Sequence, residues 1–137
     1  MREIIFKGCI KDEEKRELYG KWFFGDLIQY ANGTVYIRQQ ETDFALEVIP
    51  ETVCEYTGLK DKNGVKIWEG DVLQHKEHKG YLLPDFQAQV LWIEEYACFG
   101  YKRLDLPDWN YPTYFTEHDE LLTDFLNYAI IIGNIHD

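Results

Sequence analysis

The sequence predicts a mainly β fold with a minor α element, arranged as a small barrel or sandwich. Three observations carry this. Short runs rich in aromatic and β-branched residues recur along the 137-residue chain, and such residues suit a pleated, half-buried surface. Gly-containing turns, including two Asn-Gly pairs at Asn32-Gly33 and Asn63-Gly64, separate the runs. One segment near the C-terminus has apolar residues at helical spacing. Hydrophobic residues make up 45% of the chain and aromatics 16%. A chain of this size buries roughly two-thirds of its unfolded surface, enough for a core without staples. We expect one domain over residues 1–137, with 1–49 and 50–137 as candidate subdomains.

Taken in order, Glu3 to Ile10 alternates as a first strand, and Lys11 to Arg16 is a charged turn. Trp22 to Tyr30 and Thr34 to Arg38 flank Asn32-Gly33 as a hairpin. A two-residue turn there would pair Ile28 with Ile37 and put Ile28, Tyr30, Val35 and Ile37 on the core face. Phe44 to Ile49 is a third strand, stopped by Pro50. Cys54 to Thr57 is a short extended piece ending at Gly58, followed by the polar turn at Asn63-Gly64. Glu69-Gly70-Asp71 reads as a tight corner leading into a strand to Lys76, with Val72 pointing inward. Phe86 to Ile93 is a central strand, and Tyr96 to Arg103 is its partner. Asp105 to Thr116 is a loop with two prolines. A helix capped at Thr116 to Asp119 would run to about Asn127, with Leu121, Leu122, Phe125 and Leu126 as its buried stripe. Ala129 to Ile135 is a final strand whose continuous apolar run implies burial on both faces.

The formal net charge is −11. It is concentrated late: residues 81–137 carry ten acidic groups and only Lys102 and Arg103 as basic ones. Nucleic-acid binding needs clustered Lys and Arg against phosphates, so that half is unsuited to it. The only basic candidate face is N-terminal: Arg2, Lys7, Lys11, Lys15, Arg16 and Lys21. No apolar run approaches the roughly 18 residues of a membrane span, and the N-terminus lacks a signal-peptide core. The odd set Cys9, Cys54 and Cys98 suits reduced thiols. A cytoplasmic setting follows as the expectation.

Catalytic readings find little purchase. The chain contains no serine, which removes serine nucleophiles. His75 and His78, with two residues between them, read as solvated surface at a strand end; His118 and His136 would join a metal site only if the fold converged them. Glu94 and Glu95 are adjacent in an expected strand and would face opposite sides, so they would not share a proton. No glycine-rich phosphate loop is present, and no cofactor is implied. The sharpest functional feature is the aromatic stretch around Trp109, Tyr111, Tyr114 and Phe115. Aromatic loops are enriched at interfaces; the competing reading is that they cover the mouth of a barrel.

Residues 48–72 carry a run that resembles the signature of the YopX family. It holds Pro50-Glu51-Thr52-Val53, then Tyr56-Thr57-Gly58-Leu59-Lys60-Asp61-Lys62-Asn63-Gly64, then Glu69-Gly70-Asp71-Val72. The closing Ile132-Gly133-Asn134-Ile135 and the early Gly20-Lys21-Trp22 are similar to that family as well. Cys54 departs from the pattern, where glycine is expected, and residues 77–128 carry no matching motif. The resemblance implies a phage or prophage origin, a bacterial host cytoplasm, and an SH3-like β-barrel in the C-terminal part. It implies no reaction and no catalytic residues. Pro50, Gly58, Asn63, Gly64, Glu69, Gly70, Asp71, Gly133 and Asn134 are expected to be structural. The resulting expectation is a non-enzymatic interaction module that self-associates and meets a host or phage protein. Its rivals are a nucleic-acid module using the N-terminal basic residues and an acidic DNA mimic that binds a host protein.

Overall fold

The computed structural model describes residues 3–11, 17–76, 85–106, 112–115 and 125–137. The chain forms two compact units, Met1–Tyr56 and Thr57–Asp137. The division falls inside a strand, whereas the sequence reading put it before Pro50. Among the described residues no helix is long and apolar enough to cross a membrane.

The first unit holds β1 (Phe6–Cys9), β2 (Trp22–Gln29), β3 (Val35–Arg38), β4 (Ala45–Val48) and the opening residues of β5 (Cys54–Lys60). Their order is β4-β3-β2-β1-β5. The end of β1 also reaches back to the far strand. Ile10 bridges Val48, the Lys11 amide donates to Glu47 O at 3.0 Å, and the Ile49 amide donates to Cys9 O at 2.8 Å. Pro50–Thr52 forms a 3-10 turn. There the Thr52 hydroxyl accepts from the Cys9 amide at 2.8 Å and donates to Ile49 O at 2.7 Å. Val35, Ile37 and Val48 form the core, with Phe6, Phe23, Leu27 and Val53 against it.

The β2–β3 hairpin corrects the expected register. Leu27, not Ile28, lies opposite Ile37. The Gly33 amide donates to Tyr30 O and the Tyr30 amide to Thr34 O, both at 3.0 Å. The loop is therefore three residues, Ala31-Asn32-Gly33, with Gly33 at φ 89°. This is the longer loop that ends on a left-handed residue, and an Asn-Gly pair serves it as well as the two-residue turn. One residue of slip reverses a strand's faces. Val35 and Ile37 are buried as expected, but Leu27 packs inward from β2 and Tyr30 is exposed. Tyr30 instead meets Tyr36 edge-on, with ring centroids 5.5 Å apart.

The second unit holds the rest of β5, then β6 (Lys66–Trp68), β7 (Asp71–His75), β8 (Phe86–Ile93), β9 (Cys98–Arg103), β10 (Thr113–Tyr114) and β11 (Ala129–Asn134). β5 and β6 are neighbours, and the other five follow the antiparallel order β10-β9-β8-β7-β11. The fold class is thus mainly β with antiparallel sheets and a short helical segment, residues 125–127. The core comprises Ile67, Leu73, Phe86, Ala88, Val90, Phe125 and Ala129. Tyr101 and Phe125 stack with centroids 4.5 Å apart.

Four expectations need correcting here. β5 runs through Gly58 to Lys60, because Gly58 takes φ 85° inside the strand. β7 buries Asp71, Leu73 and His75 and leaves Val72 half-buried, so its inward parity is opposite to that expected. The partner of β8 begins at Cys98, because Glu94–Tyr96 is a 3-10 turn. β11 is an end strand with a bulge between Ile131 and Gly133, and Ile132 is exposed, so its apolar run is not buried on both faces. Leu121 and Leu122 of the expected helix, and the turn at 12–16, lie outside the described residues.

Candidate functional site

The residues of the 48–72 run and the C-terminal element converge on structural tasks. Gly70, at φ 85°, turns the chain between β6 and β7. Its amide donates to Val90 O at 2.8 Å, and its carbonyl accepts from the Ile135 amide at 2.9 Å. Asp71 is buried, and its carboxylate accepts from the Trp68 amide at 2.8 Å and from Asn134 Nδ2 at 2.9 Å. Asn134 Nδ2 also donates to Glu69 O at 3.2 Å. Glu69-Gly70-Asp71 and Asn134, which lies 63 residues after Asp71, thus form one knot, with Gly133 beside it in β11.

The second Asn-Gly turn is organised by a residue that the sequence reading did not single out. Asp61 Oδ1 accepts from the amides of Asn63 and Val65 at 2.9 and 3.0 Å, and Oδ2 accepts from the Ile131 amide at 3.1 Å. The neighbouring Lys62 amide donates to Ala129 O at 3.0 Å. A carboxylate collecting backbone amides is a charge-assisted arrangement, and it lays the turn along the outer edge of β11. The signal was available as an Asp two residues before Asn-Gly, an Asx-turn pattern.

The expected interaction surface is only partly described. Trp109 and Tyr111 lie outside the described residues. Tyr114 is in β10. Phe115 is half-buried against the core, with its ring 5.6 Å from that of Tyr101.

A different feature offers a binding geometry. Where β8 ends, Leu91, Trp92, Ile93, Glu94, Glu95, Tyr96 and Pro112 line a groove of about 480 Å³. Trp92 is 36% exposed and Tyr96 63% exposed. Trp92 is held edge-on by Phe99, with centroids 5.0 Å apart. The 3-10 turn closes at Ala97, which takes the left-handed conformation at φ 48°. That turn removes the alternation expected for Glu94 and Glu95, and both are exposed on the groove wall. Among the described residues neither carboxylate has a hydrogen-bond or ion-pair partner. Sequence reasoning missed the groove because Trp92 shares parity with the inward Phe86, Ala88 and Val90. It lies at the end of the strand, where parity no longer buries it.

The basic residues are largely engaged elsewhere. Arg103 forks onto Asp105, Nε to Oδ1 at 3.0 Å and Nη2 to Oδ2 at 2.6 Å, and its guanidinium lies 4.3 Å from the Phe86 ring centroid. The hydrogen bonds hold Asp105 below the ordinary carboxyl range and raise the guanidinium further. Lys7 is buried, with its ammonium 4.2 Å from the Trp22 ring, and Lys11 meets Glu47 at 3.8 Å. Arg2, Lys15 and Arg16 lie outside the described residues. The N-terminal basic set therefore does not present Lys7 or Lys11 as open cations.

His75 is not solvated surface. It is fully buried, 4.8 Å from Phe86 and 5.6 Å from Phe125 in stacked contacts, because β7 turns it into the core. His78 and His118 lie outside the described residues. Among the described residues no group of His, Cys, Asp and Glu is arranged to hold a metal ion. Cys9 and Cys54 are buried and Cys98 is half-buried, and none of the three is in a disulfide.

A family model described as "YopX protein" matches residues 11–137. Among solved structures, the chain is similar to "Crystal structure of protein EF1440 from Enterococcus faecalis", at 19% identity and a TM-score of 0.52. That match covers 99% of this chain and 95% of that one, and at such identity it speaks to fold alone. No curated protein matches. The chain belongs to the YopX family.

Proposed function

We propose, proceeding from that family membership, that the protein is a non-enzymatic interaction module that takes a segment of another polypeptide in the groove beside Trp92 and Tyr96. The observation that carries this reading is the groove itself: about 480 Å³, with two exposed aromatic rings at a strand end. Amphipathic rings of this kind bring large contact area at small entropic cost. The groove is built on β8 and the turn after it, so it is presented by a sheet with a packed core rather than by a free loop.

The test is a peptide-display selection against the whole protein. Recovered peptides are expected to bind with micromolar affinity and to weaken at least about tenfold on Tyr96→Ala, the scale of one interface anchor. Peptides indifferent to Tyr96→Ala and to Trp92→Ala would end the reading.

The same proposal includes a phage or prophage origin, action in the cytoplasm of a bacterial host, an SH3-like barrel in the C-terminal part, and self-association. Light scattering on purified protein at physiological and high salt reads the last of these. An oligomeric mass is expected, and a monomer at both salts would remove self-association from the proposal.

A further inference from the structure

We infer that the groove at the end of β8 recognises an arginine side chain presented by a basic segment of the partner. This rests on the interaction reading above and adds the ligand's chemistry. Three observations lead to it. The groove combines two aromatic faces, Trp92 and Tyr96, with two carboxylates, Glu94 and Glu95, on one short stretch of chain. Among the described residues those carboxylates have no hydrogen-bond or ion-pair partner. The surrounding sequence is strongly acidic, with two basic and ten acidic residues over 81–137, and Arg103 in that stretch is already forked onto Asp105. Charge complementarity therefore selects a cationic visitor and disfavours an acidic one.

Arginine fits this combination better than lysine. Its guanidinium is planar, weakly hydrated, stacks on aromatic faces, and meets carboxylates through a fork of donors. A lysine ammonium is a compact, strongly hydrated point charge and uses a ring face and a carboxylate pair less fully. The protein already contains the same chemistry inside its own fold. Arg103 lies 4.3 Å over the Phe86 ring while its Nε and Nη2 both donate to Asp105. The groove offers the outward counterpart, ring and carboxylate together, with the guanidinium to come from another molecule.

The experiment titrates the full-length ¹⁵N-labelled protein with four blocked peptides of equal length, in which glycine alternates with arginine, lysine, leucine or glutamate. The arginine peptide is expected to shift the resonances of Trp92 and Tyr96. The lysine peptide should bind about threefold more weakly, and the other two should leave the groove unmoved. The variant E94Q/E95Q, altered only at exposed positions, should retain its dispersed spectrum and lose roughly fivefold in affinity for the arginine peptide, as two partly solvated ion pairs dictate. High salt should produce a similar loss. Equal binding of the leucine peptide, with no effect of E94Q/E95Q, would overturn the arginine assignment and leave the interaction reading standing. Silence of the groove toward all four peptides would also overturn it; the display selection then decides the broader reading separately.

Discussion

Asp71→Ala is expected to destabilise the second unit by about 3–5 kcal/mol, the cost of stranding buried hydrogen-bond donors that had a charged acceptor. The carboxylate is 2% exposed and serves the Trp68 amide and Asn134 Nδ2 at once. Both partners belong to buried residues, Trp68 at 7% and Asn134 at 8% exposure. Asp71→Asn should recover little, because one of its two acceptors becomes a donor facing another donor. Asn134→Ala should cost less, since the Trp68 bond survives. The double variant should cost less than the two singles added, because residues sharing one hydrogen-bond network do not act independently. Urea unfolding of the four proteins measures this cycle. A loss below about 1 kcal/mol for Asp71→Ala would mean that the knot is solvated and the account of it wrong.

Gly25→Ala is the second large effect. A Cβ at Gly25 would overlap the carbonyl of Arg38, a backbone atom in the paired strand that cannot swing away. Gly25 sits in the middle of β2, opposite Phe6 of β1, and its successor Asp26 pairs with Arg38 of β3. Relief would require parting β2 from β3, at a cost of about 3 kcal/mol or more, the upper end for overpacking. The control is Gly33→Ala. There φ is 89° but nothing lies within 4 Å of the added carbon, so only the left-handed conformation is penalised, by about 1 kcal/mol. Thermal unfolding should rank Gly25→Ala far below Gly33→Ala, and equal midpoints would refute the close approach.

The sequence showed most clearly those elements whose signals are local. β8 was legible because Phe86, Ala88 and Val90 alternate with polar residues, and the corner at Gly70 because Glu-Gly-Asp has few other uses. The β2–β3 register was not, because Asn-Gly fits both a two-residue and a three-residue loop, and nothing in the flanking residues chooses between them. The parity of β7 was misread for a related reason. Val72 looks more apolar than Asp71 or His75, yet Asp71 is drawn inward by Asn134, whose position in the fold the sequence does not reveal. The apolar run Ile130-Ile131-Ile132 suggested a doubly covered strand. It ends a sheet, where its outer edge meets the Asp61 turn and Ile132 faces water. The groove was invisible because its two rings and two carboxylates belong to no motif and become a site only when the 3-10 turn folds them together.

The tie between the end of β1 and β4 bears on how the first unit is made. Cys9, Ile10 and Lys11 bond to Ile49, Val48 and Glu47, so completing that small structure waits on a partner nearly the whole unit away along the chain. Pairings between such distant segments form slowly, because the loop between them must be ordered before any contact rewards it. The hairpin of β2 and β3 can form early from its own turn, but β1 stays unfinished until residue 49 has been synthesised and returned. During translation the apolar residues Ile10 and Val48 are therefore among the last of this unit to leave water. A nascent chain stalled before β4 would expose Ile37, the residue that β4 covers.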